Sequence, residues 1–339
     1  MSYYTMAEKE LDCDGSPRVY ESSSTESDEP HAQQSALSAY KSSYHYKVYG
    51  KDSDSNCYVT TAAPASAVEE EEEDETLFDW NEEFQQLVEV ISSSVASEET
   101  LKISYMTLSR LMQDFVHVCK TYAKVLVHER FLATKHKTIK PAALGGFAGG
   151  LKYLHAGIMF KFSSNDHFNL YGSDDRAAKA ALHELRALRE VFDCRAGVAV
   201  PLLAVIDYCG HRILCSSILP LDHLVYGSSN GGKTVFASNP TFNEKMKLVG
   251  QRLNLQGHFA GVSPNTQDHK YLYAPCDIEG DVGIDGRHYV LDLHRLLPPE
   301  APTRKNSTEF LYRLLRSEFV RSYPKPLSSD AFSKFSTID

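Results

Sequence analysis

Seven consecutive acidic residues, Glu69-Glu70-Glu71-Glu72-Glu73-Asp74-Glu75, set the first limit on what this chain can fold into. Like charges at this density repel one another and stay hydrated. The stretch before them is rich in Ser, Asp and Glu with scattered Tyr, and it has no hydrophobic periodicity. Such a segment buries too little apolar area to offset its ordering entropy. Residues 1–76 are therefore expected to form a disordered acidic tail, and residues 77–339 the folded domain. The charge divides at the same place. The first 79 residues hold 18 acids and 5 bases, a formal charge of −13, and the remainder holds 27 acids and 30 bases, +3. The whole-chain value of −10 disfavours anionic partners, but it describes the tail and not the domain. Ser22, Ser23, Ser24, Thr25 and Ser27 lie beside Glu26, Asp28 and Glu29, where acid-directed phosphorylation would deepen the negative field.

No apolar run is long enough for a transmembrane helix, and the N-terminus lacks the apolar core of a secretory signal. The seven Cys are an odd count without C-x-x-C spacing, so the expectation is free thiols in the cytoplasm.

Order is expected from Leu77 onward. Phe84, Leu87, Val88 and Ile91 recur at helical spacing, with Asp79 or Asn81 as N-cap. A longer helical face runs from Leu101 through Leu108, Phe115 and Cys119 to Leu126. The glycine cluster Gly145, Gly146, Gly149 and Gly150 ends the helical part. Strand patterns follow at 153–162 and 168–171, then a helix over 175–192. A hairpin turns at Cys209-Gly210 between 198–207 and 212–219, and a second spans 224–236. A helix over 241–255, a hairpin turning at Asp285-Gly286 and a closing helix over 309–320 complete the domain. Helices first, then antiparallel hairpins with interspersed helices, make an α+β fold rather than a βαβ alternation.

Gly227-Ser228-Ser229-Asn230-Gly231-Gly232-Lys233-Thr234 matches the P-loop spacing literally. A working P-loop needs a helix starting at its Lys. Lys233 instead leads into Thr234-Val235-Phe236, so the segment reads as a glycine-rich hairpin turn. A second constellation follows the order of protein-kinase and inositol-phosphate-kinase phosphotransferases. Its parts are the loop Gly145–Gly150, a strand Lys161, a helix Glu184, a loop Asp277 and a strand-end Asp292. In such enzymes the loop covers phosphates, the Lys pairs with the Glu, and the carboxylates handle the hydroxyl and Mg²⁺. Here Glu279 stands where the inositol-kinase pattern has Lys, and the kinase Asn is missing. The His residues are scattered with no zinc-binding spacing, so no metal site is expected. Lys137, Lys140, Lys152, Arg313, Arg316 and Arg321, with aromatic residues interleaved near the C-terminal end, are the candidate RNA or anion contacts.

Gly283-Ile284-Asp285-Gly286-Arg287-His288-Tyr289-Val290-Leu291-Asp292-Leu293-His294-Arg295-Leu296-Leu297-Pro298-Pro299-Glu300 closely resembles the hallmark of the Clu domain of the clustered-mitochondria family. Its signature positions are Asp285, Gly286, Arg287, Tyr289, Asp292 and Arg295. Val205–Arg212, Ser217–Pro220, Val225–Val235, Leu253–Leu255 with His258, and Trp80–Gln85 fit the same family in the same order. The resemblance implies a cytoplasmic protein that influences mitochondrial distribution and binds messenger RNA or translation factors. It carries over no catalytic residue. The ubiquitin-like region and tetratricopeptide repeats of the long family members have no counterpart in this sequence, which looks like a solitary Clu domain.

Two readings stand. In the first, the domain acts by binding RNA or protein partners, without DNA, cofactor or catalysis. In the second, it is phosphotransferase-like and binds or uses Mg-ATP. They separate on geometry: convergence of Lys161, Glu184, Asp277 and Asp292 on one cleft favours the second.

Overall fold

The computed structural model describes residues 78–142, 144, 151–165, 169–304 and 307–335. The acidic tail 1–76 and the loop Gly145–Gly150 lie outside the described residues.

Two helices lead. Helix α1 (Trp80–Ser92) is capped by Asp79, whose carboxylate accepts from the Glu82 amide, so Asp79 and not Asn81 is the N-cap. Helix α2 (Glu98–His128) starts on the Ser97 hydroxyl. It buries Leu108, Leu111, Phe115, Cys119, Ala123 and Leu126, a stripe with the period of one helix face.

Five short strands follow: β1 (Pro141–Ala142), β2 (Lys152–His155), β3 (Ile158–Phe162), β4 (Leu203–Tyr208) and β5 (His211–Ser217). They form an antiparallel sheet in the order β1-β2-β3-β5-β4. The pattern read as one strand over 153–162 is thus a hairpin. Its turn, Ala156-Gly157, takes φ of 50° and 72°, the left-handed pair of a tight hairpin that matches strand twist. Cys209-Gly210 makes the same turn between β4 and β5. The expected strand over 168–171 is absent among its described residues. Asn169–Gly172 is turn and bend, held because the Asn165 side-chain carbonyl accepts from the amides of Tyr171 and Gly172.

Alternation along β3 decides which partner covers which face. Ile158, Phe160 and Phe162 are buried with Ile213 and Cys215 of β5 against α2. Met159 and Lys161 point to the other face. Helix α3 (Asp174–Asp193), which joins β3 to β4, packs on that face beside β4. Its N-cap is Ser173. Arg212 fixes it by donating to the Ala178 carbonyl at 2.8 Å while pairing with Asp207 at 2.6 Å.

The second half carries β6 (Leu221–Gly227), β7 (Phe236–Ala237), helix α4 (Pro240–Leu253), β8 (His258–Ala260), β9 (Lys270–Leu272), β10 (Glu279–Gly283), β11 (His288–Leu291) and the short helix α5 (Ser317–Ser322). One sheet runs β11-β10-β6-β7, and β8 pairs only with β9. Pro240 opens α4 and Asn239 caps it. The P-loop-like segment bridges β6 and β7 without a helix at Lys233, so no helix N-terminus faces a phosphate there. At Gly227, φ is +81° and a Cβ would stand 1.8 Å from the Ile278 carbonyl oxygen, so strand β6 can lie against that loop only with glycine. The closing helix expected over 309–320 is broken. Leu314 bridges to Pro299 and the Leu315 amide donates to the Pro298 carbonyl, which pulls the chain extended between a single turn at Glu309–Leu311 and α5.

Candidate functional site

Strands β2 and β3 place Lys152 directly opposite Lys161, on the face that α3 shares. Two like charges in direct cross-strand register repel, so carboxylates or an anion must lie nearby. The second half of the chain supplies them. Asp292 follows β11 in the left-handed region, φ +51°, and the single turn Leu293–Arg295 comes next. That turn packs on α3, and the Leu293 amide donates to Glu184 Oε1 at 2.9 Å. Glu184 Oε2 lies 3.7 Å from His294 Nδ1. The donor atoms of Glu184, Asp292 and His294 all fall within 4.8 Å of one another.

These groups also act on one another electrostatically. Burial first, then the Asp292 charge, pushes the Glu184 carboxyl up to about 8, against the pull of Lys161 and the Leu293 amide. Burial and the charges of Asp292 and Asp281 raise Glu279, opposed by Lys152 and Lys161. Burial and Lys161 lower Lys152, against Asp292 and Glu279. Burial lowers His294, which also feels Asp277, Asp292 and Lys161. Burial raises Tyr171, with Asp292, Asp277 and Glu184 adding to it. Lys161, Glu184, Asp277 and Asp292 thus share one neighbour, His294, which lies 3.7 Å from Glu184 and feels the charges of the other three. Sequence order gives Glu279 beside Asp277 but not Lys152, Tyr171 and His294 as their neighbours. His294 is visible in retrospect, two residues beyond Asp292.

Two details depart from the kinase pattern. Among the described residues, Lys161 makes no ion pair with Glu184 within 4 Å; Glu184 turns to the 293–294 turn instead. Asp277 is held by Arg295, Nη1 to Oδ1 2.6 Å. Arg295 is completely buried between the rings of Phe310 and Phe335, and its Nη2 donates to Asp330 at 2.6 Å. Asp330 in turn accepts from the Cys276 amide and pairs with His258. This buried network fixes the loop carrying Asp277.

The remaining signature positions are structural. Asp285 accepts from the Arg287 amide, from Arg287 Nη1 at 2.9 Å and from the Tyr289 hydroxyl at 2.7 Å. Arg287 also grips Glu82 and Glu89 of α1, and Asn81 donates to the Tyr289 oxygen. Gly286, at φ +78°, forms the turn. The Asp-Gly-Arg hairpin is thus bolted to the first helix, a pairing over 200 positions that no local pattern discloses.

The basic candidates scatter. Lys137 is buried, and its ammonium donates to the carbonyls of Glu129 and Arg130, closing the end of α2. Arg313 pairs with Glu300 and Glu309, and Arg321 with Glu190. Lys140 and Arg316 are exposed. No described helix is long and apolar enough to cross a membrane.

Comparison with known proteins agrees with the signature. A family model described as "CLU: Clustered mitochondria" matches residues 79–302. A clustered mitochondria protein homolog of Caenorhabditis briggsae is 28% identical over 235 residues, covering 66% of this chain and 18% of that protein. Protein clueless of Drosophila mojavensis is 30% identical over 233 residues, covering 66% and 15%. A clustered mitochondria protein homolog of Anopheles gambiae is 29% identical over the same length. The chain thus spans less than a fifth of the curated relatives it matches. No solved structure matches it. With two thirds of its length matched and the signature residues Asp285, Arg287, Tyr289 and Arg295 all engaged in the fold, the chain belongs to the clustered mitochondria family.

Proposed function

We propose that this cytoplasmic domain acts by binding, and that the cleft between the five-stranded sheet and the Asp292 turn takes a nucleotide-type polyphosphate together with a divalent cation. The observation that carries it is the directly opposed pair Lys152 and Lys161, facing the carboxylates of Glu184, Glu279 and Asp292. Cations beside carboxylates are what a metal-bound polyphosphate needs: ammonium groups for its oxygens and carboxylates for its metal. Two features favour binding over phosphoryl transfer. The Asp277 carboxylate, which would have to accept a hydroxyl proton, is tied to Arg295. Glu279 stands where the inositol-kinase pattern has Lys, so the cation that would hold an acceptor phosphate is missing.

A thermal-shift titration tests it. Mg-ATP at about 100 times its Kd should stabilise the protein by about 2.7 kcal/mol. Lys161→Ala should lose that shift. No shift in the wild-type protein removes the nucleotide reading, and release of γ-phosphate by the wild type but not by Asp277→Asn replaces binding with turnover.

One observation favours RNA as a further partner of the same protein. Phe319 on α5 and Tyr323, the residue that follows that helix, are exposed with ring centroids 5.4 Å apart, and exposed Arg316 precedes the helix. Exposed rings next to a cation form a stacking platform for single-stranded bases. Crosslinking to RNA should fall in Phe319→Ala and in Arg316→Glu, and unchanged recovery in both removes this surface.

A further inference from the structure

The carboxylates of Glu184 and Asp292 are joined by a nitrogen donor, His294, that a Mg-bound polyphosphate does not call for. Glu184 belongs to α3, whereas Asp292 and His294 belong to the turn after β11, so the set is assembled by packing two distant elements together. The contact between Glu184 Oε2 and His294 Nδ1, 3.7 Å, is too long for a hydrogen bond. It is the separation expected of two ligands on one ion, since bonds of about 2.1 Å at tetrahedral to octahedral angles put donor atoms about 3 to 4 Å apart. Asp292 completes the triangle from the solvent-exposed side, so an ion could enter there and keep water in its open positions. The geometry is already held in place. Glu184 is fixed by the Leu293 amide on its other oxygen, and the turn is anchored one residue later by completely buried Arg295. The opposed lysines across the cleft are a separate observation that points to a ligand, because they supply the anion-binding half that a metal-bound phosphate would use.

We infer that Glu184, Asp292 and His294 form a divalent metal site of the borderline class, taking Mn²⁺ or Zn²⁺ in preference to Mg²⁺. The preference follows from the imidazole nitrogen: Mg²⁺ favours an all-oxygen octahedron and sheds its water reluctantly, while nitrogen donors suit Mn²⁺ and Zn²⁺. This site rests on reading the cleft as a ligand site, but it uses different side chains from the phosphate half and needs no nucleotide.

The experiment is a titration of the full-length protein, without nucleotide, by calorimetry with Mn²⁺, Zn²⁺ and Mg²⁺ in turn. The expected result is one equivalent of Mn²⁺ or Zn²⁺ bound at least about tenfold more tightly than Mg²⁺. Glu184→Gln keeps the acceptor for the Leu293 amide while removing the charge, and it should weaken all three ions by about tenfold or more. His294→Gln should weaken Mn²⁺ and Zn²⁺ by a similar factor and leave Mg²⁺ within about threefold, which cancels the preference; a merely structural role for His294 would move all three together. The wild type failing to take up Mn²⁺ or Zn²⁺ overturns the site, as does His294→Gln binding Mn²⁺ like the wild type. Lys161→Ala separates the two claims. It should abolish the nucleotide shift while one equivalent of Mn²⁺ is still taken up, so failure of either half is seen independently of the other.

Discussion

Replacing Arg295 with Met should be among the most damaging single changes this domain can suffer. Its guanidinium is fully buried and bridges Asp277 and Asp330 at 2.6 Å each. Removing the charge has unequal consequences for the two acids. The Asp277 side chain keeps 20% of its surface exposed and can be hydrated, whereas the Asp330 side chain keeps none. The cost therefore falls on Asp330, left as a buried carboxylate with His258, the Cys276 amide and a long contact from the Ser333 hydroxyl. Breaking a buried pair in this way costs about 3–5 kcal/mol. That is a large share of the roughly 5–15 kcal/mol that holds a domain folded. Methionine still fills the slot between Phe310 and Phe335, so the loss reports charge rather than a cavity. Urea unfolding at pH 7 measures it. The double variant Arg295→Met with Asp330→Asn should recover about 2 kcal/mol, because Asn still accepts from Cys276 and His258 without a stranded charge. A loss under about 1 kcal/mol in the single variant, or no recovery in the double, would refute the assignment of this network as what fixes the Asp277 loop.

Three other outcomes are expected. Gly227→Ala should cost about 3 kcal/mol or more, since its Cβ would strike the Ile278 carbonyl, whereas Gly231→Ala, also at positive φ but in open space, should cost about 1 kcal/mol; equal losses in urea unfolding contradict the close approach. His183 donates to the Tyr312 carbonyl and burial lowers it to about 4 from 6.5, so its neutral form stabilises the fold above pH 6.5 and that contribution is lost as pH falls toward 4. The stability difference between wild type and His183→Gln should shift by up to about 3 kcal/mol over that window, and a pH-independent difference removes the argument. Among the described cysteines, Cys209 at its exposed hairpin turn should react with a maleimide in the native protein, while Cys119, Cys194, Cys215 and Cys276 should react only on unfolding; mass spectrometry of the labelled peptides decides it.

Much of this architecture is legible in the sequence because local chemistry states it. The helical stripe from Leu108 to Leu126 and the Cys209-Gly210 and Asp285-Gly286 turns are read directly, and of the two caps the sequence offers, Asp79 and Asn81, the structure uses Asp79. The misses come from longer range. Ala156-Gly157 carries no strong turn signal, so β2 and β3 read as one strand. The pattern over 309–320 has helical spacing, but pairing with Pro298 and Pro299 overrides it. The site divides the same way. Lys161, Glu184, Asp277 and Asp292 are readable as an ordered series, but the series is silent on which carboxylates meet. Glu184 reaching His294, and Arg295 taking Asp277, follow from how α3 packs on the turn after β11. Likewise Lys137 reads as a surface cation, and only the fold shows it closing a helix.

The central claim is that the lysine-faced side of this cleft binds a polyphosphate. Calorimetric titration of Mg-ATP into the wild-type protein and into Lys152→Ala with Lys161→Ala tests it most directly. Saturable binding by the wild type, weakened by about tenfold or more in the variant and by added salt, is the predicted result. Identical binding by both proteins, or none by the wild type at millimolar nucleotide, would contradict it.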